Sequence, residues 1–240
     1  MKNASTPPKA FDNALLGFDE NGTPFSGLYG DVYHSIAGGP EQAEQVFLTG
    51  NSLPERWRSK KHFVILETGF GLGLNFLVAW KAWRGDVRSS RELDYFSIEK
   101  HPLTTGELGR VHAAWQKFHP LSEILLRQWP PATSGIHRLE PEAGLALHLC
   151  FGDAAALLPV MDIKADAFYL DGFSPSRNPE LWTPEIFRSL ARCAAPDATL
   201  ATWSVAGHVR AALTAAGFAV EKHPGFGGKR HRLSGRYRAA

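Results

Sequence analysis

"FVILETGFGLGLNFLVAW", residues 63–80, decides how this chain folds. An unbroken apolar run enters three glycines spaced two apart, Gly69, Gly71 and Gly73, and then turns apolar again. Taken over 62–68, the first run has the length and continuous apolarity of a strand buried on both faces. The second, over 73–83, is long enough for a helix that starts at the glycines. Glycine adopts backbone angles closed to other residues and lets a ligand approach the main chain. A helix start adds N–H groups with no partner inside the helix. The junction therefore reads as a binding turn. It is not a pyrophosphate turn of the G-x-G-x-x-G kind. Counted from Gly69 the third glycine falls on Leu74, and counted from Gly71 it falls on Phe76. Glu67 stands two residues before Gly69, where a carboxylate repels an anion and favours a cationic ligand.

Strands and helices alternate outward from this point. Strands are expected at 93–100, 145–154, 165–175 and 198–204, with helices over about 103–118, 179–194 and 206–217 and two final strands around the loop "PGFGG". Such alternation implies a mostly parallel sheet covered on both faces, doubly wound, with its ligand beyond the C-terminal strand ends. Residues 23–60 are short and turn-rich. "SGLYGDVYHS" reads as a hairpin, and "EQAEQVFLTGN" as a short helix or strand. Residues 1–22 are polar and rich in Pro, Asn and Gly, and are expected to be a loosely attached leader.

Composition narrows the classes further. Hydrophobic residues make up 44% and charged residues 21%, which supports a folded core, and the net charge of +2 demands no polyanionic partner. Cys150 and Cys193 are far apart, with no Cys/His spacing for zinc, so no metal and no disulfide is expected. The N-terminus has no apolar stretch of signal-peptide length, and Leu74–Trp83, broken by Asn75 and Lys81, is too short to cross a bilayer. A cytoplasmic protein with no membrane partner is expected.

Glu67-x-Gly69-x-Gly71-x-Gly73 resembles the first motif of the class I methyltransferases, whose Rossmann-like sheet binds S-adenosylmethionine and ends in an antiparallel strand. That resemblance implies that Glu67 and the three glycines hold the cofactor. Glu99, 32 residues after Glu67, is placed to accept the ribose hydroxyls. Asp153, in "FGDA", either faces the adenine amino group or caps the helix after it. Asp171, in "YLDGF", ends the fourth strand, where methyltransferases acting on exocyclic amines often carry an acid or amide. A carboxylate there accepts a hydrogen bond from an amine and aims its lone pair. It also favours the ammonium form, which cannot attack, so Asp171 reads as an orienter and a candidate base. The competing reading is a turn-forming Asp before Gly172. Phe173 either stacks on a substrate base or fills the site. Asn51, after Gly50, either reaches the cofactor carboxylate or forms a turn.

"FSGLYGDVYHS", "EQVFLTGNSLPERW", "ETGFGLGLNFL", "YFSIEKHPL", "FYLDGFSPSRNPELW" and "GFGGKRHRL" resemble the methyltransferases that complete 5-methylaminomethyl-2-thiouridine at the tRNA wobble position, the N-terminal half of a bifunctional bacterial protein. The resemblance spans about 24–235. It implies methyl transfer from S-adenosylmethionine to the primary amine of 5-aminomethyl-(2-thio)uridine at position 34. It places Tyr29, Asp31 and Phe173 near the substrate, although Tyr29, Asp31 and Tyr33 read equally as hairpin packing. The bifunctional relatives continue into an FAD-dependent oxidase. This chain ends at Ala240 without a second glycine fingerprint, so no FAD is expected, and a separate enzyme is expected to supply the aminomethyl precursor. Gly228 and His231 stand where the family carries a basic and an acidic residue. Lys222, Lys229, Arg230, Arg232, Arg236 and Arg238 follow one another with no acid between them. That stretch reads as a contact for a tRNA anticodon arm, led by Lys229 and Arg230, or as a charged, aggregation-resistant edge strand. Two further functions compete. A small-molecule amine methyltransferase or polyamine-type aminopropyltransferase would need a ring of acids around its polycation. A non-catalytic tRNA-binding scaffold would have no use for the acids and glycines.

Overall fold

The computed structural model describes residues 14–34, 38–58, 60–226 and 230–238. Three short strands, β1 (Leu16–Phe18), β2 (Pro24–Ser26) and β3 (Asp31–Val32), form an antiparallel sheet. The expected hairpin is β2–β3. The expected loose leader is corrected in its described part, because Leu16 to Phe18 pair with Ser26 to Pro24 and Ala14 is buried. "EQAEQVFLTGN" resolves as helix: α1 (Gly39–Ala43) runs into a π-turn over Glu44–Leu48 and a 3-10 turn over Thr49–Asn51. A short α2 (Glu55–Arg58) follows. This segment is fastened to the main sheet. Phe47 stacks on Tyr169 with ring centroids 5.3 Å apart, and Arg56 donates to Thr199 Oγ1 at 2.6 Å and to the Asp166 carbonyl at 3.0 Å.

The main sheet comprises β4 (His62–Glu67), β5 (Glu92–Glu99), β6 (Gly135–Glu142), β7 (Leu145–Phe151), β8 (Ala165–Tyr169), β9 (Ala194–Thr202), β10 (Phe218–Pro224) and β11 (His231–Tyr237). Its order is β10-β11-β9-β8-β4-β5-β7-β6, parallel from β9 through β7. The crossovers are α3 (Leu74–Gly85), α4 (Thr105–His112) with α5 (His119–Gln128), α6 (Ala154–Leu157), α7 (Pro184–Arg192) and α8 (Gly207–Ala215). β4 shows why its sequence does not alternate. Phe63 and Ile65 enter the core under α3 and α5, while Val64 and Leu66 enter the core under α6, α7 and α8. The helix over 73–83 begins at Leu74, and Trp57, Trp80 and Trp83 are core residues as their surroundings suggest.

β6 is the element the sequence hides. It pairs antiparallel with β7 at the sheet edge, and only Leu139 of its large apolar residues is buried, so no clear two-residue period marks it. The helix expected over 179–194 starts as a 3-10 turn and becomes α7 only after the Thr183 N-cap. The fourth strand ends at Tyr169, which leaves Asp171 on a loop instead of at the strand end. The chain builds the sheet outward from β4 through β5 and β7, then returns to β8 on the other side of β4. That reversal opens a crevice beyond the C-terminal ends of β4 and β8.

Candidate active site

A cleft of about 420 Å³ lies at this reversal, roofed by the β2–β3 hairpin. The glycine turn forms one wall. Gly73 adopts the left-handed backbone, φ 73°, that starts α3, and a Cβ there would fall 2.8 Å from the Phe70 ring. At Gly69 a Cβ would come within 3.1 Å of the Asp171 carbonyl, so glycine is what allows the first turn and the loop after β8 to meet. Gly71, φ 52°, turns its N–H to Glu99 Oε2 at 2.8 Å, and the His101 N–H donates to Glu99 Oε1 at 2.7 Å. Glu99 thus ties the second strand end to the glycine turn.

Gly69, Gly71, Glu99, Asp153, Asp171, Phe173, Tyr29 and Asp31 all face this cleft, though they span more than 140 residues of sequence. Asp153 caps α6, one of the two roles expected of it, and also pairs with a lysine. Oδ1 accepts from the Ala155 N–H at 2.8 Å as the cap of α6, while Oδ2 meets Lys100 Nζ at 2.9 Å. Lys100 also reaches Glu180 Oε1 at 2.7 Å. Burial works against its charge, but the bonds to Glu180 and Asp153 outweigh that and raise its pKa. Asp31 Oδ2 accepts from the Ser174 N–H at 3.0 Å, locking the hairpin onto the loop after β8. Tyr29 stacks on Phe173 at 4.6 Å, and Tyr33 meets the same ring edge-on at 5.1 Å. Burial pushes the Tyr29 hydroxyl up to about 12, so the roof is a neutral aromatic layer.

Asp171 sits where these walls converge. Oδ1 accepts from Trp203 Nε1 at 3.0 Å and from the Gly172 N–H at 2.9 Å; Oδ2 accepts from Asn75 Nδ2 at 2.7 Å. Its backbone carbonyl takes the Thr68 hydroxyl at 2.7 Å. N–H donors on both oxygens spread the carboxylate charge and fix its plane.

Four expected site residues lie outside the cleft lining. Asn51 is fully buried away from the cleft; its amide donates to the Phe47 and Phe168 carbonyls at 2.9 and 3.2 Å and accepts from Thr199 at 2.7 Å, so it binds the N-terminal segment to the sheet. Glu67 is fully buried as well and lies behind the cleft wall instead of in it. Gly73 serves the helix start. Arg230 is exposed on the β10–β11 turn and outside the cleft wall, while Lys229 lies outside the described residues. That turn does sit at the cleft end of the sheet, because Leu233 of β11 pairs with Thr202 of β9. The basic stretch is less uniform than its sequence implies, since Arg236 pairs with Asp197 at 3.6 Å.

Asn75, Trp203 and Lys100 were not legible as site residues. Asn75 carried one signal, a polar residue interrupting an apolar helix start. Trp203 carried none, since its partner lies 32 residues away. Trp203→Phe keeps the ring and removes one donor to a charged group, worth about 1.5–3 kcal/mol. Catalytic turnover is expected to fall roughly tenfold, with the melting temperature changed by only a few degrees.

Asp31, Glu99, Asp153, Asp171 and Glu180 line the cleft against one lysine, Lys100, among the described residues. That charge disfavours a pyrophosphate and suits a cofactor carrying a sulfonium and an ammonium. Fold and cleft together define a class I, Rossmann-like methyltransferase. A family model described as S-adenosyl-L-methionine-dependent methyltransferase matches residues 116–238, more than half of the chain, and the chain belongs to that family. It is 58% identical over 225 residues to the tRNA 5-methylaminomethyl-2-thiouridine biosynthesis bifunctional protein MnmC of Azoarcus sp. (strain BH72), covering 93% of this chain and 35% of that protein. It is 54% identical over 228 residues to the MnmC protein of Aromatoleum aromaticum, covering 95% of this chain and 36% of that one. The chain therefore spans about a third of the length of the curated relatives it matches. The crystal structure of MNMC2 from Aquifex aeolicus superposes with a TM-score of 0.75 at 26% identity, covering 98% of this chain and 73% of that one. No helix among the described residues is long and apolar enough to cross a membrane, and no group of three or more His, Cys, Asp or Glu side chains there is arranged to hold a metal.

Proposed function

We propose that this protein methylates the primary amine of 5-aminomethyl-(2-thio)uridine at tRNA wobble position 34, giving 5-methylaminomethyl-(2-thio)uridine. The observation that carries the reading is Asp171, clamped by Trp203, Gly172 and Asn75 at the meeting point of an acidic cofactor wall and an aromatic substrate wall. When bound, S-adenosylmethionine supplies an electrophilic methyl group on a sulfonium. Glu99 takes the ribose hydroxyls, Asp153 the adenine amino group, and the backbone of Gly69 and Gly71 gives close approach. Asp171 accepts a hydrogen bond from the substrate amine and aims the nitrogen lone pair at the cofactor. The donors on Asp171 weaken its pull on the amine proton, so the neutral, attacking amine suffers less than it would beside a bare carboxylate. Tyr29, Tyr33 and Phe173 close over the uridine and limit water. The turn carrying Lys229 and Arg230 meets the anticodon-arm phosphates. The chain needs no FAD and no metal for this step, and another enzyme supplies the aminomethyl precursor in the cytoplasm.

Labelled S-adenosylmethionine and tRNA from a strain lacking this methylation test the reading together. Label in the anticodon is expected. Label confined to small amines would point to a small-molecule transferase, and failure to bind the cofactor would leave a tRNA-binding scaffold. Changing Lys229 and Arg230 together to Ala is expected to raise the KM for tRNA and to flatten its salt dependence by about one to two counterions. An unchanged salt slope would remove the turn from the interface.

A further inference from the structure

The acids of this site continue behind the cleft wall. Glu67, the last residue of β4, is fully buried beside Thr68 and Asn75, which do face the cleft. Its Oε2 accepts from Ser97 Oγ at 2.6 Å and its Oε1 from Asn75 Nδ2 at 2.8 Å. The same nitrogen donates to Asp171 Oδ2 at 2.7 Å. An amide nitrogen has two hydrogens, so Asn75 spends both on carboxyl groups, one inside the protein and one at the reaction centre.

We infer that Glu67 is a positioning residue for Asp171 and not a cofactor ligand: through Asn75 it fixes the plane of the Asp171 carboxylate from behind the cleft wall. The terminal torsion of an Asn side chain is soft on its own. With one N–H committed to a buried acceptor, the other N–H points in one direction, and the Asp171 oxygen that receives it is fixed in turn. Two anions on one nitrogen, one of them fully buried, would repel strongly. Burial drives the Glu67 carboxyl up to about 8; Ser97 and Asn75 oppose this and the charge of Asp171 adds to it. Glu67 is therefore held toward its neutral form; when it carries a proton on Oε2, the Ser97 hydroxyl turns from donor to acceptor and Oε1 still accepts from Asn75. The other titratable groups facing it are Asp171 and the Tyr95 and Tyr169 phenols, and burial raises both phenols. A glutamine in place of Glu67 reproduces the arrangement, with its carbonyl toward Asn75 and its amide hydrogen toward Ser97.

The inference borrows its substrate from the function proposed above, so the test also carries readouts independent of tRNA. Cofactor affinity is measured by calorimetry, turnover on undermethylated tRNA, and melting temperature across pH, for Glu67→Ala, Glu67→Gln and Asn75→Ala. Glu67→Ala is expected to lower kcat at least about tenfold, with cofactor Kd within about threefold, and Glu67→Gln to restore most of the loss. Asn75→Ala should match Glu67→Ala, and the double variant should lose nothing more. In the unfolded chain Glu67 ionises near 4.5, whereas in the folded protein it ionises near 8. Wild-type stability should thus fall relative to Glu67→Gln as pH rises through this window and level off above it. A Glu67→Gln protein binding the cofactor more than tenfold weaker overturns the inference, because charge at Glu67 would then hold the ligand. So does wild-type kcat in Glu67→Ala. If Glu67→Ala does not fold, Asn75→Ala and Glu67→Gln decide by the same criteria. If wild-type protein leaves tRNA unlabelled, the substrate reading fails separately, and cofactor affinity with the pH-dependent melting difference still decides this one.

Discussion

Asp171→Ala is expected to abolish methyl transfer while leaving cofactor binding nearly intact. The prediction follows from what the side chain touches. Its carboxylate accepts from Asn75, Trp203 and Gly172, residues to which the proposed function gives no cofactor contact. Losing the carboxylate leaves the substrate amine without its aiming partner, and misplacement by about 1 Å costs roughly 100-fold. Turnover should therefore fall about 100-fold or more, while cofactor Kd shifts by less than about tenfold, or about 1.4 kcal/mol. Asp171→Asn should be nearly as damaging. An amide presents one donor and one acceptor, yet N–H groups approach both oxygens of Asp171, so one donor would face another in either orientation. Turnover near wild type in either variant would remove Asp171 from the chemistry.

The second large effect is expected at Glu99, with the opposite signature. Glu99→Ala should weaken cofactor binding by about 100-fold or more and depress kcat much less at saturating cofactor. Two losses add. The Gly71 and His101 N–H groups lose their acceptor, which loosens the glycine turn by about 1–3 kcal/mol. The ribose hydroxyls lose a charged partner worth about 1.5–3 kcal/mol. Calorimetry with S-adenosylmethionine reads both together, and unaltered affinity would move the ribose site elsewhere. Glu99→Gln should fall between, because one oxygen can still hold one of the two N–H groups. The contrast between Asp171, which should change turnover, and Glu99, which should change affinity, separates the substrate side of the cleft from the cofactor side.

Residues 63–80 determined a great deal by themselves. A continuous apolar strand, three alternating glycines and an apolar helix specify a doubly wound sheet and the place of its site, because burial on both faces and left-handed turn positions leave a direct mark on residue type. Glu99, Asp153 and Asp171 were legible for a related reason: acids that follow successive parallel strands arrive at one edge whatever the helices between them look like. Tertiary structure alone decided which polar groups cooperate. Asn75 and Trp203 reach Asp171 across 96 and 32 residues of sequence, Asn51 turns inward to Phe168, and Glu67 withdraws behind the wall that its motif suggested it would line. Hydrogen bonds and burial depend on where strands meet, and residue spacing records that only when the partners lie on the same element.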